Sequence, residues 1–66
     1  MPFVNIYLWK GRSKETRKKL IEKVTSAVVD SIDCPKDAVQ VVITETDKEN
    51  WGLGGVPSSE KYPEKN

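Results

Sequence analysis

Apolar and polar residues follow three different patterns along the first 45 residues of the chain. From Pro2 to Leu8, apolar residues are interleaved with polar ones, and β-branched or aromatic side chains dominate, which predicts a strand with one well-buried face. From Val39 to Glu45, the apolar character reaches both faces, as in a central strand. Between these strands, apolar residues recur with helical spacing and predict a single stripe formed by Leu20, Ile21, Val24, Ala27, Val28 and Ile32.

The helix has a recognisable start and end in the sequence. Ser13 is a favourable N-cap, and Glu15 places negative charge in the first turn. The segment Asp33 to Pro35 ends the helix, because the residue before a proline avoids helical backbone angles. The helix then has about 19 or 20 residues and a length of roughly 30 Å. Such a crossover favours a right-handed β-α-β unit with parallel strands, so the predicted fold class is α/β.

The last third of the chain has no long periodic pattern. Thr46 to Asn50 is a polar connection, and the glycine-rich segment from Trp51 to Gly55 predicts a short ribbon or turn in which backbones approach closely. This segment lacks the terminal lysine and hydroxyl residue of a phosphate-binding loop. We expect residues 56–59 to be irregular and residues 60–66 to form a frayed polar tail. The whole chain, residues 1–66, is then a single domain.

The composition limits how such a small domain can be stabilised. A chain of 66 residues buries only about 60% of the surface that its unfolded form exposes. Small domains usually rely on disulfides, a metal or self-association. Cys34 is the only cysteine and there is no histidine, which argues against an intrachain disulfide and a zinc site. Self-association is the route that remains.

Charge and hydropathy argue against several partners. The net charge of +1 provides no global field for nucleic acid, and the basic helix residues Lys14, Arg17, Lys18, Lys19 and Lys23 are interpreted as a solvated face. No apolar run approaches the roughly 18 residues of a membrane span, and the start of the chain lacks the features of a signal peptide. Because the lone cysteine is typical of a reducing compartment, we expect a soluble, cytoplasmic protein that binds neither nucleic acid nor membranes.

Pro2 has two interpretations. Proline is tolerated as the first residue of a strand, so its position there is compatible with a purely structural role. If Met1 is removed, however, Pro2 becomes the chain terminus, and its nitrogen is a secondary amine instead of an amide. Partial burial or a neighbouring cation would have to bring the pKa of this amine towards neutrality. An amine of that kind is an efficient general base, and the absence of histidine leaves few other candidates.

Two further residues are candidates for ligand binding. Arg12 lies just before the predicted helix, where it is either a solvated surface residue or part of an anion site that can bind a carboxylate bidentately. Trp51 precedes the glycines and is either a packing residue or a ligand contact; Trp9 is similar, with less to support it. Cys34 is interpreted as a small apolar residue beside the helix end.

Together, these features resemble the 4-oxalocrotonate tautomerase family, the short-chain branch of the tautomerase superfamily. The resemblance rests on the segments MPFVNI at the start, GRS at 11–13, LIEKVTSAV at 20–28, VVITE at 41–45 and NWGLGG at 50–55. It extends from residue 1 to about residue 55 in the order and spacing of the family, whereas the last ten residues resemble little.

The resemblance implies an isomerase that needs no cofactor and no metal. It further implies that Met1 is removed and that the amine of Pro2 is the general base for keto–enol conversion or movement of a double bond. Arg12 matches the arginine that binds the distal carboxylate of a dicarboxylate substrate. Trp51 matches the aromatic residue that makes the pocket apolar and keeps the pKa of the proline low. The family fold is β-α-β with a short C-terminal hairpin, assembled as a hexamer of three dimers with sites shared between subunits.

One position departs from the family pattern. The second active-site arginine of the family, which polarises the substrate near the reacting carbon, falls at Gln40. Glutamine donates only neutral hydrogen bonds, and charge-assisted bonds are roughly twice as strong. The departure argues against 4-oxalocrotonate as the substrate and favours a monocarboxylate keto–enol acid or the enol of an aromatic pyruvate, unless Lys10 or Lys36 supplies the charge.

The sequence therefore leaves three hypotheses about function open. The leading hypothesis is tautomerisation, or a 1,3- or 1,5-proton shift, of a small unsaturated 2-oxo or 2-hydroxy acid, with Pro2 as base and Arg12 and Trp51 as binding residues. A second is the use of protonated Pro2 as a general acid in hydration, dehalogenation or decarboxylation. A third is a non-catalytic oligomeric interaction module, which the departure at Gln40 keeps open.

Overall fold

The computed structural model describes residues 1–63 and contains the predicted β-α-β unit. Strand β1 spans Phe3–Trp9, helix α1 spans Lys14–Ile32, and strand β2 spans Gln40–Thr46. The two strands are parallel, with Phe3 opposite Gln40 and Trp9 opposite Thr46. Both strands begin one residue later than predicted. Short 3₁₀ turns at 36–38 and 48–50 flank β2.

The ends of α1 follow the local signals in the sequence. The Ser13 hydroxyl oxygen accepts a hydrogen bond from the Thr16 backbone N–H at 3.2 Å, which confirms Ser13 as the N-cap. At the other end, Asp33 has a left-handed backbone conformation with φ of 54°, and its N–H donates to the Val29 carbonyl at 2.9 Å. A residue in this conformation ends a helix, and aspartate tolerates it better than most residues do.

The contact between α1 and the sheet is thin. Alternate strand residues are half-buried, and so are Leu20, Val24 and Val28 of the helix. Three residues of the predicted apolar stripe, Ile21, Ala27 and Ile32, are exposed instead. Among the described residues no apolar side chain is fully buried, and the buried positions belong to Thr25 and Ser58. The core of one chain is therefore incomplete.

One face of the sheet carries exposed apolar side chains. Phe3 and Tyr7 are each 60% exposed, and Val42 is 42% exposed. The register places these residues on the same face, together with Asn5 and Thr44. We call these five residues the uncovered sheet face. The Cα radius of gyration is 15.0 Å, compared with about 11 Å for a compact domain of this length, so the single chain is more extended than such a domain.

The glycine-rich segment forms the predicted short ribbon. Strands β3, Gly52–Leu53, and β4, Val56–Pro57, pair antiparallel around a two-residue turn. The turn residues Gly54 and Gly55 have φ angles of 60° and 86°. Two consecutive positive φ angles are what a tight hairpin turn of this hand requires, and glycine adopts them without steric penalty.

The segment after the hairpin differs from the prediction. Residues 58–61 form a helical turn, α2, Ser58–Lys61, where the sequence predicts an irregular segment and the start of a frayed tail. Ser58 is fully buried, and both its N–H and its hydroxyl donate to the Trp51 carbonyl at 2.7 Å. These contacts between distant residues hold the turn. Residues 64–66 of the predicted tail lie outside the described residues.

No helix within residues 1–63 combines the length and the apolar character needed to cross a bilayer.

Candidate active site

Pro2 is held in place by the sheet rather than by Met1. It lies immediately before β1 and is half-buried, and its carbonyl accepts a hydrogen bond from the Gln40 N–H at 3.0 Å. Met1 is 87% exposed, and its sulfur accepts a hydrogen bond from the Gln40 side-chain amide at 3.1 Å. Removal of Met1 would therefore leave the backbone anchor of Pro2 in place. Gln40 therefore contacts both residues, because its backbone N–H binds Pro2 and its side-chain amide binds Met1.

Arg12 lies in the exposed loop between β1 and α1. The chain turns there at Gly11, whose φ angle of 127° suits glycine. One guanidinium nitrogen of Arg12 donates to the Trp9 carbonyl at 3.0 Å. Arginine has five N–H donors in a planar fork, so this contact orients the side chain and leaves further donors for an anion.

Trp51 packs against Trp9 at the same end of β1. The two rings meet edge to face, with centroids 6.2 Å apart and an interplanar angle of 81°. The Trp51 carbonyl is fixed by the two hydrogen bonds from Ser58 described above. Trp9 also contacts the ring of Tyr62 at 5.8 Å, and the Lys48 ammonium lies 4.9 Å from the centre of the Trp9 ring. Trp9 is thus the common neighbour of Arg12 and Trp51.

The structure brings two of the three predicted site residues together and separates the third. Arg12 and Trp51 meet around Trp9 at the C-terminal end of β1, whereas Pro2 precedes its N-terminal end. A strand of seven residues is about 20 Å long. A small substrate cannot contact both ends of one strand, so a single chain does not hold a complete site with Pro2 and Arg12.

Two residues near Arg12 make contacts that the sequence does not predict. Trp9 looks like ordinary packing at the end of a strand, although its position directly before the loop is a usable signal. The sequence predicts Arg17 on the solvated helix face, but in the structure it is half-buried and contacts the Arg12 carbonyl and the Glu45 carboxylate. The signal lies in its spacing, since Arg17 precedes Leu20 and Val24 by three and seven residues and shares their helix face.

Cations outnumber carboxylates around the Arg12 loop. Lys10 forms an ion pair with Asp47 at 3.6 Å, and Arg17 forms one with Glu45 at 3.3 Å. Arg12 and Lys48 add two further positive charges, which suits the binding of an anion. Lys10 follows the C-terminal end of β1, whereas Gln40 lies opposite Phe3 at the N-terminal end. Within one chain, Lys10 therefore does not replace the positive charge of the family arginine that Gln40 lacks. In residues 1–63, the side chains of His, Cys, Asp and Glu form no cluster of three that could hold a metal ion.

Comparisons with known proteins agree with this architecture. Residues 2–61 match the family described as Tautomerase enzyme. The 2-hydroxymuconate tautomerase of Comamonas testosteroni is 48% identical over 60 residues, which cover 91% of this chain and 95% of the relative. A structure from work on the 4-oxalocrotonate tautomerase isozymes of Methylibium petroleiphilum has a TM-score of 0.89 at 44% identity and covers 92% of this chain and 98% of its own.

A more distant structure has the same fold. It comes from a heterohexamer 4-oxalocrotonate tautomerase of Chloroflexus aurantiacus J-10-fl, with a TM-score of 0.87 at 28% identity, and covers 91% of this chain and 97% of its own. Fold and comparisons together define a small β-α-β enzyme of the isomerase type. The chain belongs to the tautomerase family. The predicted fold, family and isomerase class are confirmed, and the alternative of a non-catalytic interaction module is not supported.

Proposed function

We propose that this isomerase tautomerises a small unsaturated 2-oxo or 2-hydroxy acid, using the N-terminal amine of Pro2 as general base after loss of Met1. The observation that carries the proposal is the anchoring of Pro2. Its carbonyl is bound to the Gln40 N–H of the sheet, while Met1 is exposed, so the nitrogen that becomes an amine is held by the fold. The names of the relatives, 2-hydroxymuconate and 4-oxalocrotonate tautomerase, support a small acid as substrate.

The chemistry requires one group that both takes and returns a proton. The Pro2 amine takes a proton from the enol hydroxyl, or from a carbon next to the carbonyl. The electron pair then moves through the conjugated system, and the resulting ammonium returns the proton to a different atom of the substrate. Nothing is oxidised or reduced. An amine whose pKa lies near the ambient pH is suited to both steps.

Arg12 and the two tryptophans serve the same reaction by binding the substrate. The Arg12 guanidinium binds a substrate carboxylate with charge-assisted hydrogen bonds, which are stronger than neutral ones. The rings of Trp9 and Trp51 form an apolar wall beside it. Exclusion of water by this wall strengthens the electrostatic attraction between the guanidinium and the substrate.

The separation of Pro2 from Arg12 supports a site built from more than one chain. We propose a homohexamer of three dimers, in which the Pro2 end of one subunit meets the Arg12 and Trp51 end of another. The uncovered sheet face and the incomplete core provide the apolar surface for such an assembly. The relative from Chloroflexus aurantiacus is itself a heterohexamer, which supports an assembly of six chains.

A substrate panel tests the reaction class. We expect the protein that lacks Met1 to convert the enol of phenylpyruvate to its keto form, and 2-hydroxymuconate more slowly, as followed by ultraviolet absorbance. Halo-acrylates and a semialdehyde acid should react far more slowly. Faster release of halide or carbon dioxide than enol conversion would instead support Pro2 as a general acid.

Gln40 gives a specific prediction about substrate choice. The change Gln40→Arg should raise the kcat/KM for the dicarboxylate 2-hydroxymuconate, relative to that for the enol of phenylpyruvate, by about a hundredfold. The reason is that arginine adds a charged donor next to Pro2, so that Arg12 and residue 40 can each bind one carboxylate, and only 2-hydroxymuconate has two; a charged donor of this kind is worth about 3 kcal/mol. Steady-state kinetics on the two substrates measure this ratio.

The control is Gln40→Met, which has a similar length but no donor. It should not raise the ratio. An unchanged or lower ratio in the Gln40→Arg protein would contradict the role of Gln40 in substrate choice.

A further inference from the structure

The loop that carries Arg12 has few attachments of its own. All four of its residues, 10–13, are exposed. At its start, the Lys10 N–H donates to the Thr46 carbonyl of β2 at 3.0 Å, and at its end Ser13 caps the helix. Between these points the chain passes through Gly11, the residue type that restricts the backbone least. Neither of these two contacts involves the backbone of Arg12, and its guanidinium contact with the Trp9 carbonyl holds only the side chain.

Arg17 contacts the backbone of Arg12. One of its guanidinium nitrogens donates to the Arg12 carbonyl at 2.8 Å and lies 3.3 Å from a carboxylate oxygen of Glu45. The contact joins three parts of the fold, because Arg17 is in the first turns of α1, Arg12 is in the loop, and Glu45 is in β2. The Arg17 and Glu45 side chains are only 35% and 23% exposed, so this ion pair is better shielded from water than an ordinary surface pair.

The Glu45 carboxylate depends on Arg17. Its second oxygen is buried and has no hydrogen-bond partner among the described residues. A shielded carboxylate that lost its cation would be strongly unfavourable, and this keeps the Arg17 guanidinium in place. The ion pair therefore fixes the nitrogen that binds the Arg12 carbonyl.

We propose that Arg17 is a positioning residue, which holds the Arg12 loop in the conformation that binds the substrate carboxylate. The inference rests on the proposed role of Arg12 in substrate binding. Arg17 acts through the backbone of Arg12, and a displacement of about 1 Å in a substrate-binding group can reduce activity up to a hundredfold. Loss of the Arg17 side chain therefore weakens binding of the substrate carboxylate more than it slows proton transfer at Pro2.

The test is a double-mutant cycle on the full-length, processed protein with 2-hydroxymuconate as substrate. Arg17→Ala should raise KM about tenfold and change kcat by less than about twofold. Arg12→Ala should raise KM by more than that. In the Arg12→Ala background, Arg17→Ala should have little further effect on KM, because there is no guanidinium left to position. A purely structural role would raise KM by the same factor in both backgrounds.

Two further variants complete the design. Lys18→Ala removes the same charge from the neighbouring, exposed helix position and should leave KM within about twofold of the parent value. Arg17→Lys keeps the charge but not the planar fork, so it should raise KM by a smaller factor than alanine does. This conservative variant decides the matter if the alanine protein does not fold.

The outcomes separate this inference from the function on which it rests. If Arg12→Ala raises KM but Arg17→Ala and Arg17→Lys do not, the positioning role is wrong and the role of Arg12 stands. Equal factors for Arg17→Ala in both backgrounds also overturn the positioning role. If Arg12→Ala leaves KM unchanged, the assignment of Arg12 fails, and the positioning role fails with it.

Discussion

Replacing Pro2 with alanine should lower kcat by about a hundredfold or more and leave the assembly intact. A positioned general base contributes about 10² to 10⁴ to the rate, and the primary amine of alanine lacks the ring that holds the nitrogen of proline rigid. The strand should persist, because the carbonyl of residue 2 still accepts the Gln40 N–H. Steady-state kinetics on an enol substrate measure the loss, and size-exclusion chromatography measures the assembly.

The matched control for this change is a proline remote from β1. Pro63 is exposed and follows the last helical turn, so Pro63→Ala should keep kcat within about twofold of the parent value. Turnover by the Pro2→Ala protein at the parent rate would contradict the use of the Pro2 amine as base.

Placing a charge on the uncovered sheet face should separate the subunits and remove most of the activity. Val42 is 42% exposed in one chain, and the proposed assembly buries it. In Val42→Lys, association would bury an unpaired ammonium, which is strongly unfavourable. Since Pro2 and Arg12 lie at opposite ends of β1, the separated chain lacks a complete site, and activity should fall by about a hundredfold. Analytical ultracentrifugation gives the mass, and kinetics on the same samples give the activity.

The control for this change adds the same charge where no contact between subunits is proposed. Ser26 is exposed on α1, and Ser26→Lys should retain both assembly and activity. A Val42→Lys protein that is monomeric and fully active would contradict a site shared between subunits. A Val42→Lys protein that stays assembled would show that the interface between subunits does not include Val42.

The β-α-β unit could be predicted because its signals are local. The apolar alternation of the strands, the Ser13 cap and the helix end before Pro35 each depend on neighbours in sequence. The turn at Ser58–Lys61 could not be predicted in the same way. Its residues are polar, and its stability depends on the Trp51 carbonyl, seven residues before Ser58. Contacts of this kind leave no periodic pattern in the sequence.

The contacts at the candidate site could not be predicted from the sequence either. Pro2 and Arg12 are near each other in sequence, yet an extended strand between them places them about 20 Å apart in one chain. Arg17 belongs to a run of basic residues that is typical of a solvated surface, and its contacts with the Arg12 carbonyl and with Glu45, 28 positions away, give it a different role. Residue types at the site could thus be predicted from the sequence, whereas the contacts that connect them could not.

The central claim is that the Pro2 nitrogen acts as a free amine. The most direct test is the turnover of an enol acid by preparations that contain different fractions of chains without Met1, with each fraction determined by intact-mass spectrometry. The account predicts that activity rises in proportion to the fraction that lacks Met1 and is negligible when Met1 is fully retained. Equal activity in a preparation that retains Met1 on every chain would contradict it, because the nitrogen of Pro2 would then be an amide without basicity.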